Sequence, residues 1–396
     1  MIFSKLQKKN IFCIVVFAVA VFDLAIFFYL PLLSSVRQEF KVSQSLIQFS
    51  AAVNLLGISI SSIVYGTLSD AWGRRKIVLF GMLSFTIASY GISLATSIYT
   101  LFFFRFLQGV GAGVAWSIGN AIIHDIYKEK DFQKAIISFT IMMGIVTVIS
   151  PSLGGYVGGA IGWRQSFNVM AISGLAILMY SIFFLPETLQ TKSKINFQHI
   201  FNNYRTLFTN YTYIKHLIIK VLMVSLAFVN ISNLPLIFVE GYQSSVEWCG
   251  ALMALGSAVF VLGGVINGRL VNYFSTDKII KYSLLSSALS SLTLISMEWF
   301  GLLTAIGIQI IKIPYLIAIA LIFGNATSKV VSAIPQLSGS ASASMVTLEA
   351  LIGAFFVKLV SNFYNQTIYP MEIFALAAVV ISYLTLTSSS IRSQSS

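Results

Sequence analysis

Four ionisable residues stand deep inside long apolar runs: Asp23, Arg105, Lys312 and Glu349. A charge at the centre of a membrane helix costs about 2.5–3.5 kcal/mol on insertion scales. Each therefore needs a partner, a proton or a wet cavity. Arginine keeps its proton, whereas a carboxyl can exchange its charge for one. Asp23 and Arg105 fall at similar depth in the first and fourth runs, as an ion pair or as one charge site shared through water. Glu349 and Lys312 lie at comparable depth in the eleventh and tenth runs and are read as a second buried pair. A further charged cluster, Gly66-Thr-Leu-Ser-Asp70-Ala-Trp-Gly73-Arg74-Arg75-Lys76, is wedged between two apolar runs.

The elements that must position these groups are membrane spans. The chain has 396 residues, 57% hydrophobic and 10% charged, with a mean hydropathy of +0.86. Soluble domains carry about a quarter charged residues, and a bilayer core takes roughly twenty apolar residues per helix. Apolar runs place spans at 11–33, 45–66, 77–97, 98–123, 134–158, 166–186, 214–238, 247–270, 279–297, 302–324, 338–360 and 368–388. The fold class expected is an all-α polytopic membrane protein, with twelve transmembrane helices in two pseudo-symmetric six-helix bundles. Residues 1–186 and 214–396 form the bundles, and the polar stretch 187–213 forms a cytoplasmic linker holding a short amphipathic helix. The halves echo faintly, with Gly268-Arg269-Leu270 standing in for Gly66-Thr67-Leu68 and Asn272 for Asp70.

The net charge of +12 reports topology. Basic residues crowd the loops on one side, including Lys5, Lys8, Lys9, Arg74, Arg75, Lys76, Lys128 and Lys130, while Arg37, Lys41 and Arg164 mark the other. This positive-inside bias puts both termini in the cytoplasm and needs no nucleic-acid partner. Lys220 and Lys358 lie nearer span ends and are expected to snorkel. Cys13 and Cys249 have neither metal nor disulfide spacing.

Several words resemble the major facilitator superfamily. Gly66 to Lys76 resembles its loop signature G-x-L-x-D-x-x-G-R-[RK], although Ala71 replaces a basic residue. Arg105, Gln108 and Gly109 match R-x-x-Q-G. Pro151-Ser-Leu-Gly154-Gly155 keeps the end of the antiporter signature G-x-x-x-G-P-x-x-G-G, with Val146 and Ser150 at the two earlier glycines. With Tyr29-Leu30-Pro31, Trp163-Arg164, Leu185-Pro186-Glu187-Thr188 and Gly339-Ser-Ala-Ser-Ala343, these words resemble the Bcr/CflA drug:proton antiporters. Phe27 stands where related members often carry an acid, and Asp23 lies one turn deeper on the same face.

The resemblance implies a monomeric exporter of the bacterial inner membrane, exchanging small amphipathic molecules or drugs for protons by alternating access. It implies that Arg74 bridges to Asp125, while Asp70 faces the start of span eleven as part of a cytoplasmic gate. Candidate lining residues are Phe22, Tyr29, Asn54, Trp116, Asn120, Asn230 and Asn233, aromatics and amides suited to an amphipathic guest. Asp23 and Glu349 both stand as proton carriers. The energy source is the proton gradient, with no cofactor expected and no P-loop in the sequence. A dedicated exporter of an endogenous metabolite such as a siderophore, or less readily a proton-coupled importer, fits the same motifs. A channel needs rings of like charge and a membrane enzyme needs clustered ligands; neither pattern is present, and no metal site is expected.

Overall fold

The computed structural model describes residues 4–127, 129–189, 197–334 and 337–392. Among them the regular structure is all helical, and the chain falls into two units, Met1–Asn196 and Phe197–Ser396. That boundary lies inside the polar stretch 187–213.

In the first unit α1 spans Lys5–Phe27, a 3-10 turn covers Leu30–Leu32 and α2 spans Leu33–Phe40. Then follow α3 (Gln44–Trp72), α4 (Arg74–Ser93), α5 (Ile98–Ile126) and α6 (Glu129–Phe184). The second unit holds α7 (Phe197–Leu207), α8 (Tyr211–Leu236, continued as a π turn Ile237–Gly241), α9 (Val246–Leu270), α10 (Thr276–Trp299), α11 (Ala305–Ile311), α12 (Ile313–Ser332), α13 (Ser338–Ser361) and α14 (Tyr369–Arg392). The short α7 occupies the place where an amphipathic linker helix was expected.

Ten stretches of the described residues are long and apolar enough to cross a bilayer. One of them, Met142–Phe184, is really two helices. Gly162 lies inside it at φ +81°, a left-handed setting that glycine adopts without a Cβ clash, and the chain turns there. Dividing it at Gly162 and adding α5, whose 29 residues include the apolar Ile98–Val114, gives twelve spans.

Helices this apolar cannot solvate their ends with neighbouring side chains alone, so polar caps mark where they stop. Ser97 accepts from the Thr100 amide at 3.2 Å and Thr304 from the Gly307 amide at 3.0 Å, each satisfying an orphan donor of the first turn. Thr304 closes the turn after α10, in which Gly301 adopts φ +65°. The sequence leaves almost no loop there, and this tight left-handed turn is how the chain manages with one so short. Large apolar side chains such as Phe103, Tyr156, Ile172 and Phe183 point outward, as suits helices whose solvent is lipid.

Within the first unit, α3 and α5 pack backbone to backbone. A Cβ on Gly109 would collide with the carbonyl of Asn54, and Asn54 donates to the Arg105 carbonyl at 3.0 Å. Small residues of this kind let membrane helices approach closely. The contact fixes the register that delivers Arg105. At one end of the unit, Glu39 joins Arg164 at 2.7 Å and accepts from the Trp163 indole at 2.5 Å, tying α2 to the bend at Gly162.

Candidate functional site

Arg105 is 1% exposed, and its guanidinium is satisfied without a carboxylate. Nη1 donates to Gln108 Oε1 at 2.7 Å and to the Ala25 carbonyl at 3.2 Å, and Nε donates to the Ser50 carbonyl at 3.4 Å. The guanidinium carbon lies 4.4 Å from the centre of the Tyr29 ring. Tyr29 in turn bonds Ser50 at 2.7 Å, and Gln108 donates to Ser89 at 2.8 Å. These partners come from α1, α3, α4 and α5, so the arginine holds four helices together.

The ion pair expected between Asp23 and Arg105 is not formed. No bridge of 4.0 Å or less joins them, and Asp23 Oδ1 is buried without a hydrogen-bond partner. The reason is a break that a single run at 11–33 conceals. Because α1 ends at Phe27, the carbonyl of Ala25 belongs to its last turn and lacks a helical partner. Arg105 fills that vacancy and leaves the carboxyl of Asp23, 7% exposed, to itself. Phe22 packs edge-on against Phe85 at 4.9 Å and borders a small apolar cavity with Val19, Val114 and Gly119.

The second unit also pairs its charges differently from expectation. Lys312 bonds Glu372, not Glu349, at 2.7 Å, and both are 1% exposed. Asn230 Oδ1 accepts from the same ammonium, which stands 5.0 Å from the Tyr315 ring. Lys312 occupies the joint between α11 and α12 with ψ near −8°, so its side chain is aimed by that break rather than by a regular helix. Glu349 instead faces Lys220 at 3.7 Å. Lys220 is fully buried, so it does not snorkel. Glu372 was the missed partner, although an acid one turn inside an apolar run was a visible signal for it. Asn230 also donates to the Tyr315 hydroxyl at 3.0 Å, and Asn233 bonds back to the Val229 carbonyl at 2.7 Å. Both amides are thus engaged within their own unit, as is Asn54. The side chains of Trp116, Asn120 and Ser338 lie outside the described ones.

The charged hairpin between α3 and α4 is built around Gly73, whose φ of +111° excludes ordinary residues. Arg74 meets Asp70 at 2.5 Å, Ser69 Oγ at 2.5 Å and Asp125 at 3.4 Å. Two residues not assigned there from sequence complete the cluster. Glu187 Oε1 accepts from the Arg74 amide at 2.9 Å, capping α4 at the end where its dipole favours an anion. Thr188 donates to Asp125 at 3.2 Å. Arg75 donates to the Ile182 carbonyl at 2.7 Å, while Gly66 faces open space.

In α6, Pro151 and the buried Gly154 and Gly155 bring the helix against the end of α1. A Cβ on Gly154 would strike the backbone of Phe28. The proline-glycine word therefore seats the same helix end that accepts from Arg105.

An all-helical chain with buried, cross-linked charges in each of two units is a multi-pass membrane protein of the transporter type. A family model of the major facilitator superfamily matches residues 15–357, and the chain belongs to that family, whose members are transporters rather than enzymes. It is 25% identical to the uncharacterized MFS-type transporter YdgK of Bacillus subtilis, covering 90% of this chain and 89% of the relative. It is 22% identical to a bicyclomycin resistance protein homolog of Haemophilus influenzae, over 92% and 93% of the two chains. To multidrug resistance protein D of Escherichia coli the figures are 24%, 85% and 84%. These relatives agree with the Bcr/CflA-type branch that the motifs resemble. The fold is similar to that of the xylose transporter XylE of E. coli, with a TM-score of 0.76 at 14% identity over 96% and 97% of the chains.

Proposed function

We propose that the protein exports small amphipathic molecules, drugs among them, in exchange for protons. On this reading it works by alternating access in a bacterial inner membrane, as a monomer with both termini cytoplasmic and the proton gradient as its energy source. The observation that carries the reading is Asp23, a buried carboxyl on α1 with an oxygen that no protein group engages. A membrane carboxyl left this way is stable as the neutral acid or with a visiting cation. Arg105 does not neutralise it, so the proton is free to do so. The relatives named for bicyclomycin and multidrug resistance support the cargo class. The cluster of Asp70, Arg74 and Asp125 serves as the cytoplasmic gate, with Glu187 and Thr188 bracing it. One charge moving through 100 mV supplies about 2.3 kcal/mol, enough to drive export without a nucleotide.

The test uses everted vesicles energised by respiration and a fluorescent amphipathic dye. Wild type concentrates the dye, and Asp23→Asn reduces uptake to the passive rate. Concentrative uptake by the Asp23→Asn variant would remove this residue from the coupling.

A further inference from the structure

The first turns of α10 carry Asp277, Lys278 and Lys281. Asp277 is taken by α8, where its carboxylate meets Lys215 Nζ at 3.4 Å and His216 Nε2 at 3.2 Å. Lys281 stands four residues after that acid, the spacing of a helical ion pair, yet the bridge is not made. Its ammonium lies 5.9 Å from the centre of the Tyr383 ring on α14 instead. Lys278 and Lys281 are both exposed, and no carboxylate among the described residues lies within 4.0 Å of either ammonium. The corresponding hairpin of the first unit spends its arginines on the protein, Arg74 on Asp70 and Asp125 and Arg75 on the Ile182 carbonyl.

Beyond the lysines the same face of α10 is apolar. Tyr282, Leu285, Leu289 and Leu292 are 47% to 67% exposed, and Trp299 ends the stripe. Their spacing follows the helical repeat, while Ile280 and Leu284 on the other side pack with Val379 and Leu386 of α14. From Lys281 to Trp299 the helix rises about 27 Å, close to the ~30 Å of a bilayer core. The stripe therefore runs from cations at one headgroup level to a tryptophan at the other, where such rings settle. Any outward face of a membrane helix meets acyl chains. This one adds two cations that the described carboxylates leave to an outside anion.

We propose that this face of α10, with Tyr383 of α14 at its edge, seats one anionic phospholipid of the cytoplasmic leaflet. The phosphate meets Lys278 and Lys281, and an acyl chain lies along Leu285, Leu289 and Leu292. Charge complementarity selects the lipid. A headgroup without a cation of its own, as in phosphatidylglycerol, brings a net negative charge, whereas phosphatidylcholine brings an ammonium that the lysines repel. Each lysine beside an anionic surface favours it about fivefold, so the pair gives roughly thirtyfold. Asp277 serves the seat by staying out of it, because α8 holds its carboxylate away from the lysines. The inference goes beyond the antiport reading and takes from it only the orientation that puts this end of α10 at the cytoplasmic leaflet.

The test is native mass spectrometry of the full-length protein, delipidated in a nonionic detergent and titrated with dioleoyl phosphatidylglycerol or dioleoyl phosphatidylcholine. Wild type is expected to bind the first phosphatidylglycerol at least about tenfold more tightly than phosphatidylcholine. Lys278→Gln and Lys281→Gln each lose about fivefold of that preference, and the double variant binds both lipids alike. Lys8→Gln combined with Lys9→Gln removes the same charge from the first unit and keeps the preference. Glycerol 3-phosphate, a headgroup anion without chains, displaces neither lipid. Equal affinity of wild type for the two lipids, a preference that survives in the double variant of α10, its loss in the Lys8 and Lys9 control, or displacement by glycerol 3-phosphate overturns the proposal. Binding in micelles is read without transport, so concentrative dye uptake by Asp23→Asn would sink the antiport reading and leave this one standing.

Discussion

Replacing Glu372 by Ala removes one side of a pair in which both groups are 1% exposed and 2.7 Å apart. The ammonium of Lys312 would be left with Asn230 Oδ1 and the Tyr315 face, neither of which carries a charge. Breaking a buried pair from one side costs about 3–5 kcal/mol. At 1.36 kcal/mol per decade that is about two to four decades in the folding equilibrium. Replacing both partners by apolar residues of similar volume, Lys312→Met with Glu372→Leu, removes the stranded charge and recovers most of the loss. Equilibrium unfolding in mixed micelles, followed by tryptophan fluorescence, gives all four corners of the cycle. A double variant as unstable as the sum of the single ones would refute the argument, because it would mean that each side chain acts through packing and not through its partner.

Gly154→Ala forces a methyl into the backbone of Phe28 and should cost about 1–3 kcal/mol. Gly66→Ala meets open space on α3 and should gain up to about 1 kcal/mol from helix propensity; thermal unfolding of the pair decides both. Arg105→Lys keeps the charge but not the fork that reaches Ala25, Ser50 and Gln108, so each bond not remade costs about 1.5–3 kcal/mol. An unchanged melting temperature for that variant would contradict the shell described. Glu187→Ala uncaps α4 at a cost of about 0.5–2 kcal/mol, seen as faster hydrogen exchange over residues 74–77.

The family and the helical architecture were legible in the chain because they are written locally. Hydropathy over about twenty residues depends on no distant contact, and words such as Arg105-x-x-Gln108-Gly109 are contiguous. The ionisable residues worth attention were legible for the same reason, since a charge inside an apolar run is conspicuous wherever its partner lies.

Who pairs with whom was decided only in three dimensions. Depth along a span can be counted from sequence, but the direction in which a side chain points depends on where its helix stops and turns. The end of α1 at Phe27 gives Arg105 a carbonyl in place of Asp23, and the joint at Lys312 aims that lysine at Glu372 rather than Glu349. Glu187 reaches the Arg74 amide across more than a hundred residues of chain. Membrane insertion selects for apolar length, whereas the buried charges are matched by the rotation and breaks of whole helices, which no local stretch of residues records.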